Sequence, residues 1–195
     1  MKATLNLILF VLLIIICHQL PAQSISQTDG KEEQKDLFIA INAGIQMSGY
    51  KKVDFIPANY SPLLNLTAGK WLGKWWGLQL GYKGLWFNTI SDDIRHHYTY
   101  LYTELMVDAN TLLTKNNKHR IWSLILHAGP GYFYNNHYME SNICGNLGLQ
   151  NQFRLNQQLS LNIDIAAKVG WDIYQGDEDI LPGISLGFSY SLFER

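Results

Sequence analysis

The sequence predicts an all-β fold, an eight-stranded antiparallel up-and-down transmembrane β-barrel. From Leu37 to Phe193, apolar residues recur at every second position, which is the period of a β-strand. The alternate positions are polar or charged, and the sequence shows no helical pattern that could cover the apolar face. A membrane-spanning barrel accounts for these observations together, because lipid covers its outside and polar side chains line its lumen.

Composition narrows the class of protein further. Charged residues make up 16% of the 195 residues and the mean hydropathy is -0.07, which excludes a helical membrane protein. The net charge is -1, and no basic patch with interleaved aromatic residues is present, so nucleic acid is not an expected partner.

The N-terminus predicts export. Lys2 precedes an apolar run over residues 5–17, and Ala22 is a small residue suited to cleavage, so residues 1–22 are interpreted as a signal peptide. Lipidation of Cys17 is the alternative, but Ile16 stands where a small residue is expected. Residues 23–36 are then a flexible periplasmic lead-in and residues 37–195 an outer-membrane barrel. Cys144 is the one cysteine left after cleavage, so no internal disulfide is expected.

Eight strands follow from the alternation. They are predicted over residues 37–47, 62–72, 77–88, 98–110, 121–134, 142–155, 159–171 and 183–193. The seventh shows the pattern best, because its odd positions from Leu159 to Trp171 are apolar while its even positions include Asn162, Asp164 and Lys168. Pro130 in the fifth lacks an N–H group and predicts a β-bulge.

Loop lengths and aromatic residues predict the orientation. Short connections at residues 73–76 and 156–158 indicate the periplasmic end, and long or polar ones at 48–61, 89–97, 135–141 and 173–182 the outer end, with 111–120 as an exception. The aromatic residues then form two membrane-interface girdles. The periplasmic girdle contains Trp71, Trp76, Trp122 and Tyr190, and the outer one Trp86, Tyr98, Tyr132 and Trp171. A soluble β-sandwich also has alternating strands, but two aromatic belts do not follow from it.

A polar network is predicted inside the barrel. Eight strands enclose a lumen just wide enough for side chains to fill, so charges there must be paired or hydrogen-bonded. The predicted network comprises Lys83, Glu104, Asp108, Arg154, Asp164, Lys168 and Asp172. The same polar face carries Gln79, His127, Asn146, Gln150, Gln152 and Asn162. It is interpreted as a plug, and a gated or proton-conducting path is the alternative.

Several stretches, in order along the chain, resemble the barrel domain of the outer-membrane protein A family. They are residues 68–72 (AGKWL), 77–82 (GLQLGY), 98–106 (YTYLYTELM), 128–131 (AGPG), 148–155 (GLQNQFRL) and 159–164 (LSLNID). The resemblance implies an eight-stranded barrel with a structural or surface-interaction role, and it implies that Phe193 is the assembly signal recognised by the barrel insertion machinery. The family's C-terminal peptidoglycan-binding domain has no counterpart in this sequence, so that tether is not expected.

No catalytic residue, metal or cofactor is predicted. Histidines and acidic residues of the outer loops could bind cations, but such runs are usually solvated; they are Asp92, Asp93, His96, His97, His137, Glu140, Asp177, Glu178 and Asp179. A lipid-modifying enzyme would need a serine, with Ser91, Ser123 and Ser141 as candidates, beside His96, His97, His127 or His137. No Gly-x-Ser-x-Gly motif is present.

The expected function is therefore that of a small non-enzymatic outer-membrane barrel with a structural or surface-display role. An accessory subunit of a larger transport, insertion or secretion complex is the first alternative, and a narrow channel or a lipid-modifying enzyme is the second. The expected partners are outer-membrane lipid and lipopolysaccharide, the insertion machinery during assembly, and a larger outer-membrane complex in the first alternative.

Overall fold

The computed structural model describes residues 37–48, 59–88, 95–113, 121–171 and 178–192. The predicted signal peptide, the lead-in, Asp172 and Phe193 lie outside the described residues, and so do Ser91, Asp92, Asp93 and Asp177.

Eight antiparallel strands form a closed barrel in the order in which they follow in sequence, which confirms the predicted fold class. Each strand pairs with the next one along the chain, and the first pairs with the last, with Ile41 opposite Phe188. The strands are β1 (Leu37–Met47), β2 (Tyr60–Trp71), β3 (Trp76–Asn88), β4 (Arg95–Asp108), β5 (Trp122–Asn135), β6 (Glu140–Arg154), β7 (Leu159–Trp171) and β8 (Glu178–Ser191).

The alternation of the sequence separates the two faces of the wall. Large apolar side chains point outward and are about half exposed, such as Ile41 at 55% and Leu186 at 54%. Their polar neighbours Asn42 and Ser185 point inward and are buried. An apolar outside around a polar inside is the arrangement of a barrel surrounded by lipid.

The predicted strand boundaries differ from the observed ones mainly at β4 and β8. β8 begins at Glu178, five residues before the prediction. β4 ends at Asp108, and a short helix, α1 (Ala109–Leu113), replaces the predicted end of the strand. The Asp108 carboxylate accepts hydrogen bonds from the Thr111 backbone N–H at 3.0 Å and from Thr111 Oγ1 at 2.7 Å, and so it caps the helix. In the part of the chain that the structure describes, no helix is long and apolar enough to cross a membrane.

The bulge predicted at Pro130 is wrong. Tyr102 pairs with Gly131 and Leu105 with Ala128, so the register between β4 and β5 is the same on both sides of the proline and no residue is inserted. The two intervening residue pairs are missing from the ladder instead, because proline has no N–H to donate. On its other side, Pro130 stays in register with Gly145 of β6.

The two ends of the barrel differ in their connections. At one end, called the hairpin end, residues 72–75 and 155–158 form tight turns, with Leu72 N–H and Leu155 N–H donating to the Trp76 and Leu159 carbonyls. At the opposite end, called the loop end, the described connection is the turn over residues 136–139. Met139 in this turn has a φ of 57°, a left-handed conformation that a side chain rarely adopts.

An arginine in the middle of the outer wall should destabilise the barrel strongly. Ile165 lies between Leu149 and Ile184 on the outward face and is 53% exposed. Ile165→Arg should lower the free energy of unfolding by about 2–4 kcal/mol, because the guanidinium would lie at the bilayer midplane. The measurement is urea unfolding in lipid vesicles. Ile121→Arg, at the hairpin end, is the matched control and should cost at most about 1 kcal/mol; equal losses would contradict a lipid-facing wall.

Candidate functional site

The polar lumen is centred on His127 of β5, which lies between two carboxylates. Its Nδ1 is 3.0 Å from Glu104 Oε2, and its Nε2 is 2.9 Å from Asp164 Oδ1. All three side chains are buried, and they join β4, β5 and β7. An ionised carboxylate only accepts hydrogen bonds, so with both acids ionised both ring nitrogens must donate and the imidazole carries a positive charge.

Glu104 has further donors on its remaining lone pairs. Gln79 Nε2 donates to Glu104 Oε2 at 2.5 Å, and Asn146 Nδ2 donates to Oε1. Asn146 in turn accepts a hydrogen bond from Lys83 Nζ at 3.3 Å. The ammonium group of Lys83 also lies 5.0 Å from the centre of the Tyr102 ring. The carboxylate is therefore satisfied from several strands at once, as a buried charge requires.

A second polar cluster lies nearer the loop end. Lys168 Nζ donates to Gln46 Oε1 at 2.9 Å and to Tyr98 Oη at 3.4 Å, and it lies 5.2 Å from the centre of the Tyr98 ring. Tyr98 Oη also donates to Gln46 Oε1 at 2.8 Å. Gln46 is held by its Nε2, which donates to the Trp86 carbonyl at 2.9 Å.

These contacts cross the lumen rather than follow its wall. Lys168 of β7 reaches Tyr98 of β4, and Lys83 of β3 reaches Asn146 of β6, although neither pair of strands is adjacent. Tyr102 of β4 likewise donates to Asn65 Oδ1 of β2 at 2.7 Å. Side chains that meet across the barrel axis occupy the space that a channel would need.

Aromatic rings fill the lumen between these clusters and the loop end. Tyr98 stacks on Phe133 with ring centres 5.0 Å apart, and Tyr100 stacks on Tyr102 at 5.6 Å. The buried apolar cluster comprises Phe87, Tyr98, Tyr100, Tyr102, Phe133, Cys144 and Leu181. Inward-facing glycines on the neighbouring strands make room for these rings: a Cβ at Gly81 would overlap Tyr102, and one at Gly131 would overlap Tyr100.

The structure brings together four of the seven residues predicted for the lumen network. Lys83, Glu104, Asp164 and Lys168 lie in the clusters described above. Asp108 lies at the hairpin end, where it caps α1. Arg154 also lies at that end, and Asp172 is outside the described residues. Sequence reasoning placed His127 on the polar face but not at the centre of the network. The signal that could have found it is a lone histidine facing carboxylates on two nearby strands.

The predicted girdle residues occupy both ends of the barrel. Trp122, Tyr132 and Tyr190 are outward and about two-fifths exposed, at 41%, 44% and 42%. The Trp122 indole N–H donates to Asn151 and the Tyr190 hydroxyl to Gln158, the polar contacts that interfacial aromatic residues make. Trp76 and Trp86 also occupy outward positions, and Trp171 ends β7.

Two of the residues predicted for the girdles do not lie on the outer wall. Tyr98 is 1% exposed and belongs to the lumen, because it alternates with the outward residues of β4. Trp71 lines a small pocket at the hairpin end instead of the outer wall, together with Phe38, Gln152, Arg154, Ser189 and Ser191.

The lumen offers no catalytic arrangement at His127. Both ring nitrogens contact carboxylates, so neither contacts a serine, and Ser123 lies four residues away on the same strand. Among the described residues, no group of three or more histidine, cysteine or acidic side chains could hold a metal ion. The chemistry that this arrangement performs is charge compensation inside a closed barrel.

Comparisons with known proteins agree with this fold. No protein-family model and no curated protein matches the chain. The crystal structure of Neisserial surface protein A (NspA) is similar over 80% of this chain and 97% of that chain, with 7% identity and a TM-score of 0.56. Ail, the attachment invasion locus protein of Yersinia pestis, covers 81% of this chain and 99% of its own, with 16% identity and a TM-score of 0.46. A major outer membrane protein from Thermus thermophilus covers 80% and 99%, with 13% identity and a TM-score of 0.47.

The similarity to NspA shows the fold, which is that of a small outer-membrane barrel. At this level of identity it carries no function across. The narrower resemblance to the outer-membrane protein A family stays a prediction, because no family model matches.

Replacement of His127 should lower the free energy of unfolding by more than the change in side-chain volume explains. His127→Leu leaves Glu104 and Asp164 as two buried carboxylates without the group that bridges them. The expected loss is about 3–5 kcal/mol in the free energy of unfolding, measured by urea titration in vesicles. His137→Leu, at the exposed turn of the loop end, should change it by less than about 0.5 kcal/mol. Adding Glu104→Gln and Asp164→Asn to His127→Leu should recover part of the loss, and no recovery would contradict a charge-based role.

A methyl group should be tolerated outside the barrel but not inside. Gly131→Ala would place a Cβ against the Tyr100 ring in the lumen, and a cost of about 1–3 kcal/mol is expected from overpacking. Gly145→Ala is the matched control, because its Cβ would meet only the Val169 carbonyl, at 3.9 Å, on the outward face. Both free energies can be measured by the same urea titration. Equal effects at the two glycines would mean that the lumen is not tightly packed.

Proposed function

We propose that this protein is a small non-enzymatic barrel of a bacterial outer membrane, exported by its N-terminal signal peptide. Its polar lumen is plugged, and its role is to stabilise the membrane and to present loops at the surface. The proposal of a plugged lumen is supported by the hydrogen bonds between side chains of different strands across it. The main ones join Lys168 to Gln46 and Tyr98, and Asn146 to Glu104. Below the aromatic cluster, His127 joins the carboxylates of β4 and β7.

The height of the apolar wall supports a membrane location. On β4, Val107 lies opposite Trp76 near one girdle, and His97 lies opposite Trp86 at the other. Their separation of ten positions along β4 corresponds to a vertical distance of about 26 Å in a strand tilted by about 40°. This matches the outward apolar band of about 25 Å in outer-membrane barrels.

Two observations support a non-enzymatic role. The buried histidine that could act as a general base is held by two carboxylates. The side chains at the centre of the lumen are almost fully buried, so a substrate has no access to them; Lys83 is 2% and Glu104 1% exposed. Both groups balance charge within the wall, as a structural network does.

A second role is that of an accessory subunit docked on a larger outer-membrane complex. The outward face of β8 favours this role, since Ile184, Leu186, Phe188, Tyr190 and Leu192 form a continuous apolar strip exposed by 42–54%. Lipid would cover the same strip in a monomer. Affinity purification of a tagged copy from gently solubilised outer membranes separates the two roles: a stoichiometric partner supports the subunit, and a folded monomer supports the stand-alone barrel.

The plug predicts the electrical behaviour of the purified protein. In planar lipid bilayers, the unmodified protein should show no steady conductance on the nanosiemens scale, because the lumen is filled by side chains. A variant with Tyr98→Ala and Phe133→Ala removes two stacked rings and should show small, frequent current steps. Leu105→Ala, on the outward face of β4, should leave the conductance unchanged. A stable large conductance of the unmodified protein would refute the plug.

A further inference from the structure

A cationic and aromatic patch lies on the outside of the barrel at the loop end. It consists of Trp86 on β3 and of Arg95 and His97 on β4, and is called the Arg95 patch below. The guanidinium carbon of Arg95 lies 5.7 Å from the centre of the Trp86 ring. The His97 ring centre lies 5.9 Å from the Trp86 ring on the same face. Arg95 and His97 are exposed, whereas His96 between them is buried, so the patch belongs to the outer wall.

Cationic side chains are rare on this wall. Among the outward strand positions that the structure describes, they are Lys70, at the hairpin end of β2, and Arg95, at the loop end of β4. Between these two levels the outward positions of β4 are Thr99, Leu101, Thr103, Leu105 and Val107. Within the described part of the chain, no acidic side chain lies within ion-pair distance of Arg95, and its guanidinium contacts the Trp86 ring. Its charge therefore faces the surroundings of the barrel.

The height of the patch matches the level of lipid head groups. His97 lies opposite Trp86, and Tyr132 and Tyr134 lie opposite Leu101 and Thr99 on the neighbouring strand pair. Both tyrosines lie within the apolar band, whose outer edge is at the level of Trp86 and His97, and Arg95 lies two residues beyond that edge along β4. Two residues of a tilted strand correspond to about 5 Å, which places the guanidinium at the head groups and not among the acyl chains.

We propose that the Arg95 patch binds a phosphate group of an anionic lipid in the membrane leaflet at the loop end. Arg95 supplies a planar pair of N–H donors to the phosphate oxygens, and His97 supplies a further N–H. The Trp86 ring limits the motion of the guanidinium, so less conformational freedom is lost when the phosphate binds. This inference rests on the proposed membrane location of the barrel and names one component of that membrane.

The occupant is a lipid and not a free anion, because the wall next to the patch is apolar. Tyr132 is 44% exposed, and the Tyr82 ring lies across the outward position of Gly84, between Leu101 and the patch. An acyl chain attached to the bound phosphate can lie against these rings. A free phosphate has no such contact and competes with water for a single exposed arginine, so it should bind weakly.

The test compares lipid binding by matched variants. The protein is inserted into phosphatidylcholine nanodiscs that contain increasing amounts of bisphosphorylated lipid A, and the bound lipid A molecules are counted by native mass spectrometry. Arg95→Gln should weaken the tightest binding about tenfold, the loss expected for a charge-assisted bidentate contact. His97→Asn should weaken it less, and Arg95→Lys should retain part of it. Lys70→Gln, which removes the exposed cation at the opposite end, should leave it unchanged.

Each remaining outcome has a definite meaning. If Arg95→Gln binds lipid A like the unmodified protein, or if Lys70→Gln weakens binding equally, the Arg95 patch is not the site. If inorganic phosphate at millimolar concentration displaces lipid A, the site recognises a free anion and the lipid proposal fails. Insertion is checked separately by the gel mobility of the unheated protein. A barrel that does not insert overturns both the proposed function and this inference, whereas a barrel that inserts and binds no lipid A overturns this inference alone.

Discussion

The structure depends on one constraint: every backbone polar group of a segment inside a membrane must find a hydrogen-bond partner within the protein. β1 meets this requirement only because it pairs with β8 as well as with β2, from Phe38 opposite Ser191 to Gln46 opposite Gly183. Closure also turns one face of every strand toward the lumen and the other toward the surroundings of the barrel. It also explains why the interruption of the β4–β5 ladder beside Pro130 is confined to two residue pairs, with paired residues on both sides.

Closure with eight strands makes the lumen narrow, and the narrow lumen decides what its residues can do. Charged side chains inside it are poorly hydrated, so each is stable only when it contacts partners on several strands. Glu104 illustrates this with donors from β3, β5 and β6. The same crowding requires glycine opposite the large rings, as at Gly81 and Gly131. Crowding of the lumen and balance of its charges therefore both follow from the small diameter of the barrel.

Much of this arrangement could be predicted, because residues that recur at every second position of a strand lie on the same face of the sheet. The bounds of β1 and β7 match the prediction, and the inward positions of Lys83, Glu104, Asp164 and Lys168 follow from parity. Parity failed where a strand ends. Asp108 has inward parity, yet it caps a helix, because an aspartate at the end of a strand can accept a hydrogen bond from the backbone of the residues that follow. Trp71 and Tyr98 were assigned to the girdles because they lie near strand ends. Distance from a strand end does not distinguish a side chain in the lumen from one on the outer wall.

The sequence by itself determined the class of fold, the number of strands and the two faces of each strand, because side-chain direction in a strand depends only on local geometry. Only the tertiary structure decided which inward residues meet. His127 contacts Glu104 and Asp164, which are 23 and 37 residues away in the chain, and Lys168 contacts Gln46 at a separation of 122. Such pairs depend on register, tilt and the diameter of the closed barrel, which are properties of all eight strands together and are not encoded in any one segment.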